Sequence, residues 1–249
     1  MFGRMIYRFP SRRRRLFACL FLFFVLVLSS YPQVTHRNQG ESQAVGDYGR
    51  GRLVNGYLLP RRGPNFRCYS WLSYYVLGRE YVHSRVYHTV LDAYQEMARQ
   101  YPQRQFVYME TGRKRGGRPW PHRTHQIGLS VDFMSPLRTA GGAPKYYEGL
   151  GFARYLLNFD GQGRARLNRE VSIDFDVLAA HVLVLDRQAR RHGLRVSKVI
   201  FNTGLKDELF ATKSGQKLKA AGIYFAQQLT PTLNRLHDDH YHVDFAPLP

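Results

Sequence analysis

An α+β fold, with a mainly antiparallel central sheet flanked by helices and long loops, follows from three features of this chain. Two long stretches repeat apolar residues at helical spacing, and four short stretches are β-rich or alternate with period two. The two kinds succeed one another without the strict βαβ rhythm of a parallel sheet. A length of 249 residues suits one sizeable core.

The amino terminus stands apart. Six arginines, Arg4, Arg8 and Arg12 to Arg15, precede an unbroken apolar run of 13 residues from Leu16 to Leu28. The run is shorter than the roughly 20 residues of a comfortable membrane span and fits the apolar region of a secretory leader. Leu28-Ser29-Ser30-Tyr31 matches a cleavage site only loosely, so residues 1–30 are read as a signal peptide or an uncleaved membrane anchor. The basic flank stays in the cytoplasm, and the chain beyond Ser30 is expected to be exported. Residues 31–46 read as a polar linker and residues 47–249 as one domain.

Within the domain, the Gly- and Pro-punctuated stretch from Gly46 to Gly78 predicts loops with short strands. Val86, Val90, Tyr94, Met97 and Tyr101 predict an amphipathic helix from about His83 to Gln100, ended near Pro102. Gln105 to Met109 predicts a strand, and Arg113 to Arg118 a basic loop that leads to His122. Leu129, Val131 and Phe133 alternate with Ser130 and Asp132, which places Asp132 on the face opposite the buried residues of a short strand. Ser135 to Gly163 has no clear period and is expected to form long loops around the site. Asp174 to Arg191 predicts a second helix, with Asp174 as N-cap and Gly193 as stop. Val196 to Phe201 predicts a strand, the segment after Lys206 is weakly helical, and the last strand carries a histidine cluster.

The histidines point to chemistry. Five of ten lie in two segments, His122 and His125 in one, His237, His240 and His242 in the other. On a strand, His240, His242 and Asp244 project from one face while Tyr241, Val243 and Phe245 enter the core. His125, followed seven positions later by Asp132, adds an N and an O donor once the chain folds back. One carboxylate and two neutral imidazoles around an open fourth position make the ligand set of a catalytic zinc site, since structural sites are closed and usually thiolate-rich. Without the leader, Cys68 is the one remaining cysteine, so neither a thiolate cluster nor an intramolecular disulfide can form. Cys68 itself reads as a small buried hydrophobe. His36, His83, His88 and His192 read as surface or helix-end residues and His181 as a core-facing helix residue.

His-Gln-x-Gly-Leu-x-Val-Asp, here His125 to Asp132, and His-x-x-His-x-His-Val, here His237 to Val243, resemble the penicillin-insensitive murein endopeptidases. These are zinc peptidases related to lysostaphin, the D-Ala-D-Ala peptidases and the hedgehog domain. The resemblance extends through Leu53 to Pro60 and Lys198 to Asn202, covering roughly Gly46 to Phe245. It implies a hedgehog/D-Ala-D-Ala peptidase-like fold and a periplasmic zinc metallopeptidase domain at 47–249. It further implies one Zn2+ held by His125, Asp132 and His242, with His240 catalytic and His122 and His237 bordering the metal and assisting. The implied substrate is cross-linked peptidoglycan, cut at the D-Ala to meso-diaminopimelate bond.

Asp238 and Asp239 read either as solvated loop carboxylates or as groups that orient a histidine or meet the substrate's ammonium. The family's usual disulfide cysteines are not found here. Tyr146 and Tyr147 suit stacking on sugars or packing under loops, and Trp120 is expected to pack. The formal net charge of +19 would suit nucleic acid in a cytosolic protein. In an exported chain with its basic excess spread over many loops, no nucleic acid is expected, and anionic wall polymers or lipid headgroups are the counter-charges. A non-catalytic zinc-bearing wall-binding module and a basic metal-dependent nuclease are the alternative readings.

Overall fold

Both predicted helices form, and they pack on one face of a five-stranded sheet. The computed structural model describes residues 12–120, 122–147 and 157–249. In chain order the elements are α1 (Arg12–Val34), β1 (Gln43–Asp47), β2 (Arg50–Val54), β3 (Tyr57–Leu58), β4 (Phe66–Cys68), β5 (Tyr81–Val82), α2 (Ser84–Gln100), β6 (Phe106–Tyr108), β7 (Ser130–Met134), β8 (Leu137–Thr139) and β9 (Pro144–Lys145). Next come β10 (Val171–Ile173), α3 (Phe175–Arg191), β11 (Leu194–Ile200), α4 (Lys206–Ala211), α5 (Lys213–Ala220), α6 (Pro231–Arg235) and β12 (His240–Pro247). The central sheet runs β11-β12-β7-β6-β4, antiparallel except for the β4–β6 pair. The α+β class with mainly antiparallel strands therefore holds.

The helix-covered face is the core. Val86, Val90, Tyr94 and Met97 of α2 and Leu178, His181, Val182 and Leu185 of α3 are each at most 1 % exposed. They meet Phe106, Val131, Phe133, Tyr241, Val243 and Phe245, the alternate residues of the three middle strands. Tyr94 and Phe106 stack on the His181 ring, and Phe133 meets it edge-on. His181 is thus the core histidine its helical position predicts. Asp174 caps α3 by accepting from the Val177 amide, and Gly193 leaves the helix at a φ of 70° that disfavours any side chain.

Burial with one hydrogen bond, Nδ1 to the Tyr241 hydroxyl at 2.5 Å, pushes the His181 pKa down to about 3. A folded value below the unfolded one of 6.5 means that stability is present above pH 6.5 and is lost as the pH falls towards 3. In that window, wild type should lose about 1.4 kcal/mol per pH unit more than His181→Gln, read from denaturant unfolding at stepped pH. Parallel curves for the two proteins would refute the assignment.

The structure corrects several expectations. Within the stretch from Ser135 to Gly163, β8 and β9 form a hairpin that continues onto β10, so part of it is a small sheet. Residues 148–156 of that stretch lie outside the described residues, as do Pro121, Arg4 and Arg8. Trp120 does not pack: it is 70 % exposed. Tyr31 to Val34 complete α1, and the segment after them is laced to the domain: Asn38 and Leu58 exchange hydrogen bonds, as do Ser42 and Ser84, and the Ser42 hydroxyl donates to the Asn55 carbonyl. Cys68 is buried, as expected, and burial pushes its thiol well up.

α1 extends the apolar run at both ends to 23 residues, about 35 Å of helix against about 30 Å of bilayer hydrocarbon. By length and composition it can cross a membrane or serve as a signal sequence, and none of its side chains is buried.

Candidate metal centre

Strand register builds the site. β12 and β7 pair so that His242 faces Asp132, His240 faces Met134 and Asp244 faces Ser130. Directly opposed residues on one face hold their Cβ atoms about 4.5–5.5 Å apart, and a slip by one would turn every one of these side chains into the core. His242 Nδ1 accordingly lies 2.8 Å from Asp132 Oδ1. Beyond Tyr108 the β6 chain continues along β7, and the Asp132 amide donates to the Glu110 carbonyl, which carries Glu110 to the same end of the sheet.

The third member comes from a loop. His125 sits at φ 68°, a left-handed conformation that is uncommon outside glycine and is held here by its surroundings. Gly112 lets that loop approach: a Cβ there would stand 2.8 Å from the His125 carbonyl oxygen. The loop returns through Gly128, whose φ of 73° and closeness to the His83 amide leave no room for a side chain. His125 Nε2 lies 3.4 Å from Asp132 Oδ2, and its ring meets that of His242 edge-on at 4.7 Å.

Each of three histidines has its own carboxylate besides Asp132. His242 Nε2 lies 2.6 Å from Asp244 Oδ1, His240 Nδ1 2.6 Å from Asp239 Oδ1, and His122 Nε2 2.6 Å from Glu110 Oε2. The carboxylates are braced in turn. Ser130 donates to Asp244, Lys198 pairs with it at 2.8 Å, and Tyr69 and Arg79 donate to Glu110. Lys198 reaches Asp244 because the β11–β12 register shifts between Val196 and Lys198, a bulge that sets Lys198 opposite Asp244.

Burial and charge oppose each other throughout. Burial would raise the Asp132 carboxyl, but His125 and His242 hold it well below the usual carboxylate range. Burial would lower His242, yet Asp244 and Asp132 lift it to about 10, so without a metal it is an imidazolium between two carboxylates. Asp239 likewise raises His240 against burial. His237, its ring 4.8 Å from that of His240, is pushed down to about 4 by burial and by the neighbouring His240 charge.

All six residues of the two motifs lie at one end of the sheet. His122, His125 and Asp132 offer ligand atoms within 4.8 Å of one another, so this group could hold a metal ion. His242 joins through Asp132, and His237 and His240 form an adjoining pair. The donor set suits a divalent cation of N and O preference. One observation supports the fit directly: His125 Nε2 and His242 Nδ1 both face the Asp132 carboxylate, at 3.4 and 2.8 Å, and all three residues are at most 2 % exposed, so two imidazole nitrogens and a carboxylate meet in one buried place.

Asp239 is 3 % exposed and Asp238 sits under the Phe159 amide, which rules out solvated loop carboxylates for both. Glu110 carries no sequence signal, because it lies in no motif, and Lys198, which opens the Lys198 to Asn202 stretch, carries none that links it to Asp244. Asp244 is visible in the sequence as the third residue on the histidine face, without a role. Compared with known proteins, the chain matches no protein-family model and no curated protein.

Proposed function

We propose that this chain is a zinc-dependent murein DD-endopeptidase of hedgehog/D-Ala-D-Ala peptidase-like architecture, exported to the periplasm and acting on D-Ala to meso-diaminopimelate cross-links. Its main support is the convergence of His125, Asp132 and His242 from a loop and two paired strands, with His240 two residues along the same strand face.

In this reading His125, Asp132 and His242 hold the zinc. An ion held there would supply water acidified towards a pKa of ~7 and a Lewis acid for the scissile carbonyl. The protein's own groups do the rest. His242 must give up its proton to serve as ligand, so metal affinity rises with pH. His240, oriented by the contact of its Nδ1 with Asp239, is the proton-transfer group. It takes a proton from the attacking water as the C–O bond forms, and returns one to the amine nitrogen as the C–N bond breaks. His122, fixed by Glu110, and His237 flank the reacting carbonyl and supply hydrogen bonds to its oxygen as charge develops.

The test uses purified chain and cross-linked muropeptide dimers, with and without chelator, with products identified by mass. Dimers should convert to monomers, stop on chelation and resume on adding zinc. Zinc-loaded protein that leaves dimers intact would refute the enzyme and favour a binding module.

A further inference from the structure

A cleft of about 930 Å³ opens between the end of α1, the segment after it, β2 and the loop at Lys114 and Arg115. Arg37, Arg52, Lys114 and Arg115 line it, all exposed, and among the described residues no carboxylate does. Among the described residues none of the four is in an ion pair. Four like charges around one cavity repel each other, and an anion inside relieves that repulsion.

Position selects the anion. Tyr31 and Pro32, from the last turn of α1, form part of the cleft wall. Over its 23 residues α1 is about 35 Å long against about 30 Å of hydrocarbon, so when it spans, its last turn, with Tyr31 and Pro32, falls at the outer edge of the hydrocarbon. The headgroup layer outside the hydrocarbon is about 5–7 Å thick on each side. The cleft mouth therefore stands at the level of lipid phosphates when α1 spans a bilayer, and Tyr31, 65 % exposed, suits the interfacial belt where tyrosines gather.

We propose that this cleft binds the phosphate of an anionic phospholipid at the outer surface of the membrane that α1 crosses. The site is separate from hydrolysis and requires only that α1 be retained. Its wall is shared with the metal loop: the Leu53 amide donates to the Arg115 carbonyl, and the Gly117 amide to the carbonyl of Gln126, the neighbour of His125. An occupied cleft thus braces the loop that ends at the metal centre.

The full chain, reconstituted in phosphatidylcholine bilayers, is tested with spin-labelled phosphatidylglycerol and phosphatidylcholine, reading the immobilised fraction of each. Phosphatidylglycerol should be preferred by about five-fold or more, since each basic group near an anionic surface contributes about 1 kcal/mol. The combined Arg52→Gln, Lys114→Gln, Arg115→Gln variant should lose that preference. The single Lys114→Gln change, on an exposed loop, should weaken it and guards against a triple variant that fails to fold. Replacing Arg12 to Arg15 with glutamine separates the cytoplasmic arginines, and should leave most of the preference. The proposal is overturned if the cleft variants keep the preference, if the leader variant alone abolishes it, or if inorganic phosphate or a soluble wall polymer competes it away. It is equally overturned if chain recovered from cell membranes has lost α1 by mass.

Discussion

Asp132→Ala should lose bound metal and turnover together. Asp132 is 1 % exposed and contacts both His125 and His242, so its removal takes away one proposed ligand and leaves two buried imidazoles without their shared acceptor. Breaking a buried pair from one side typically costs about 3–5 kcal/mol, so a lower melting temperature is expected as well. Asp132→Asn keeps the shape and separates the effects. It should fold closer to wild type yet hold metal at least about 100-fold more weakly, a loss beyond the 10–100-fold typical of outer-shell changes. Elemental analysis beside muropeptide turnover decides the matter. An Asp132→Asn protein carrying a full equivalent of metal would break the proposed ligand set.

His240→Ala should do the opposite: keep its metal and lose turnover. General acid–base groups contribute about 10²–10⁴-fold, and a fall in kcat of that size with unchanged metal content is expected. Asp239→Asn gives a finer reading. Asp239 raises the His240 imidazole, so its loss lowers that pKa. A base must be neutral to act, and the acidic limb of the rate profile should move to lower pH in Asp239→Asn. A His240 variant that releases its metal would make His240 a ligand, and an unmoved acidic limb would separate Asp239 from the proton transfer.

Much of this architecture is legible in one dimension because it depends on period and caps. The spacing of Val86, Val90, Tyr94 and Met97 specifies α2, and Asp174 with Gly193 brackets α3. Period two on β12 separates Tyr241, Val243 and Phe245 from His240, His242 and Asp244 before any partner is known. Trp120, by contrast, is exposed where packing is expected, since an aromatic side chain says nothing about whether a loop will cover it. The hydrogen bonds made by the polar segment after α1 are illegible in the sequence for a similar reason. Composition cannot show that Asn38 and Ser42 find backbone partners on the domain.

By itself, the sequence determined the α+β class, the apolar amino-terminal segment, the face of the last strand that carries histidines, and the residue types that can meet a metal. These depend on local spacing and on side-chain chemistry. Tertiary structure alone decided that His242 lies opposite Asp132, that a bulge turns Lys198 onto Asp244, and that Glu110 holds His122. Strand register and loop closure set those contacts, and both come from packing between segments far apart in the chain, where no periodicity reaches.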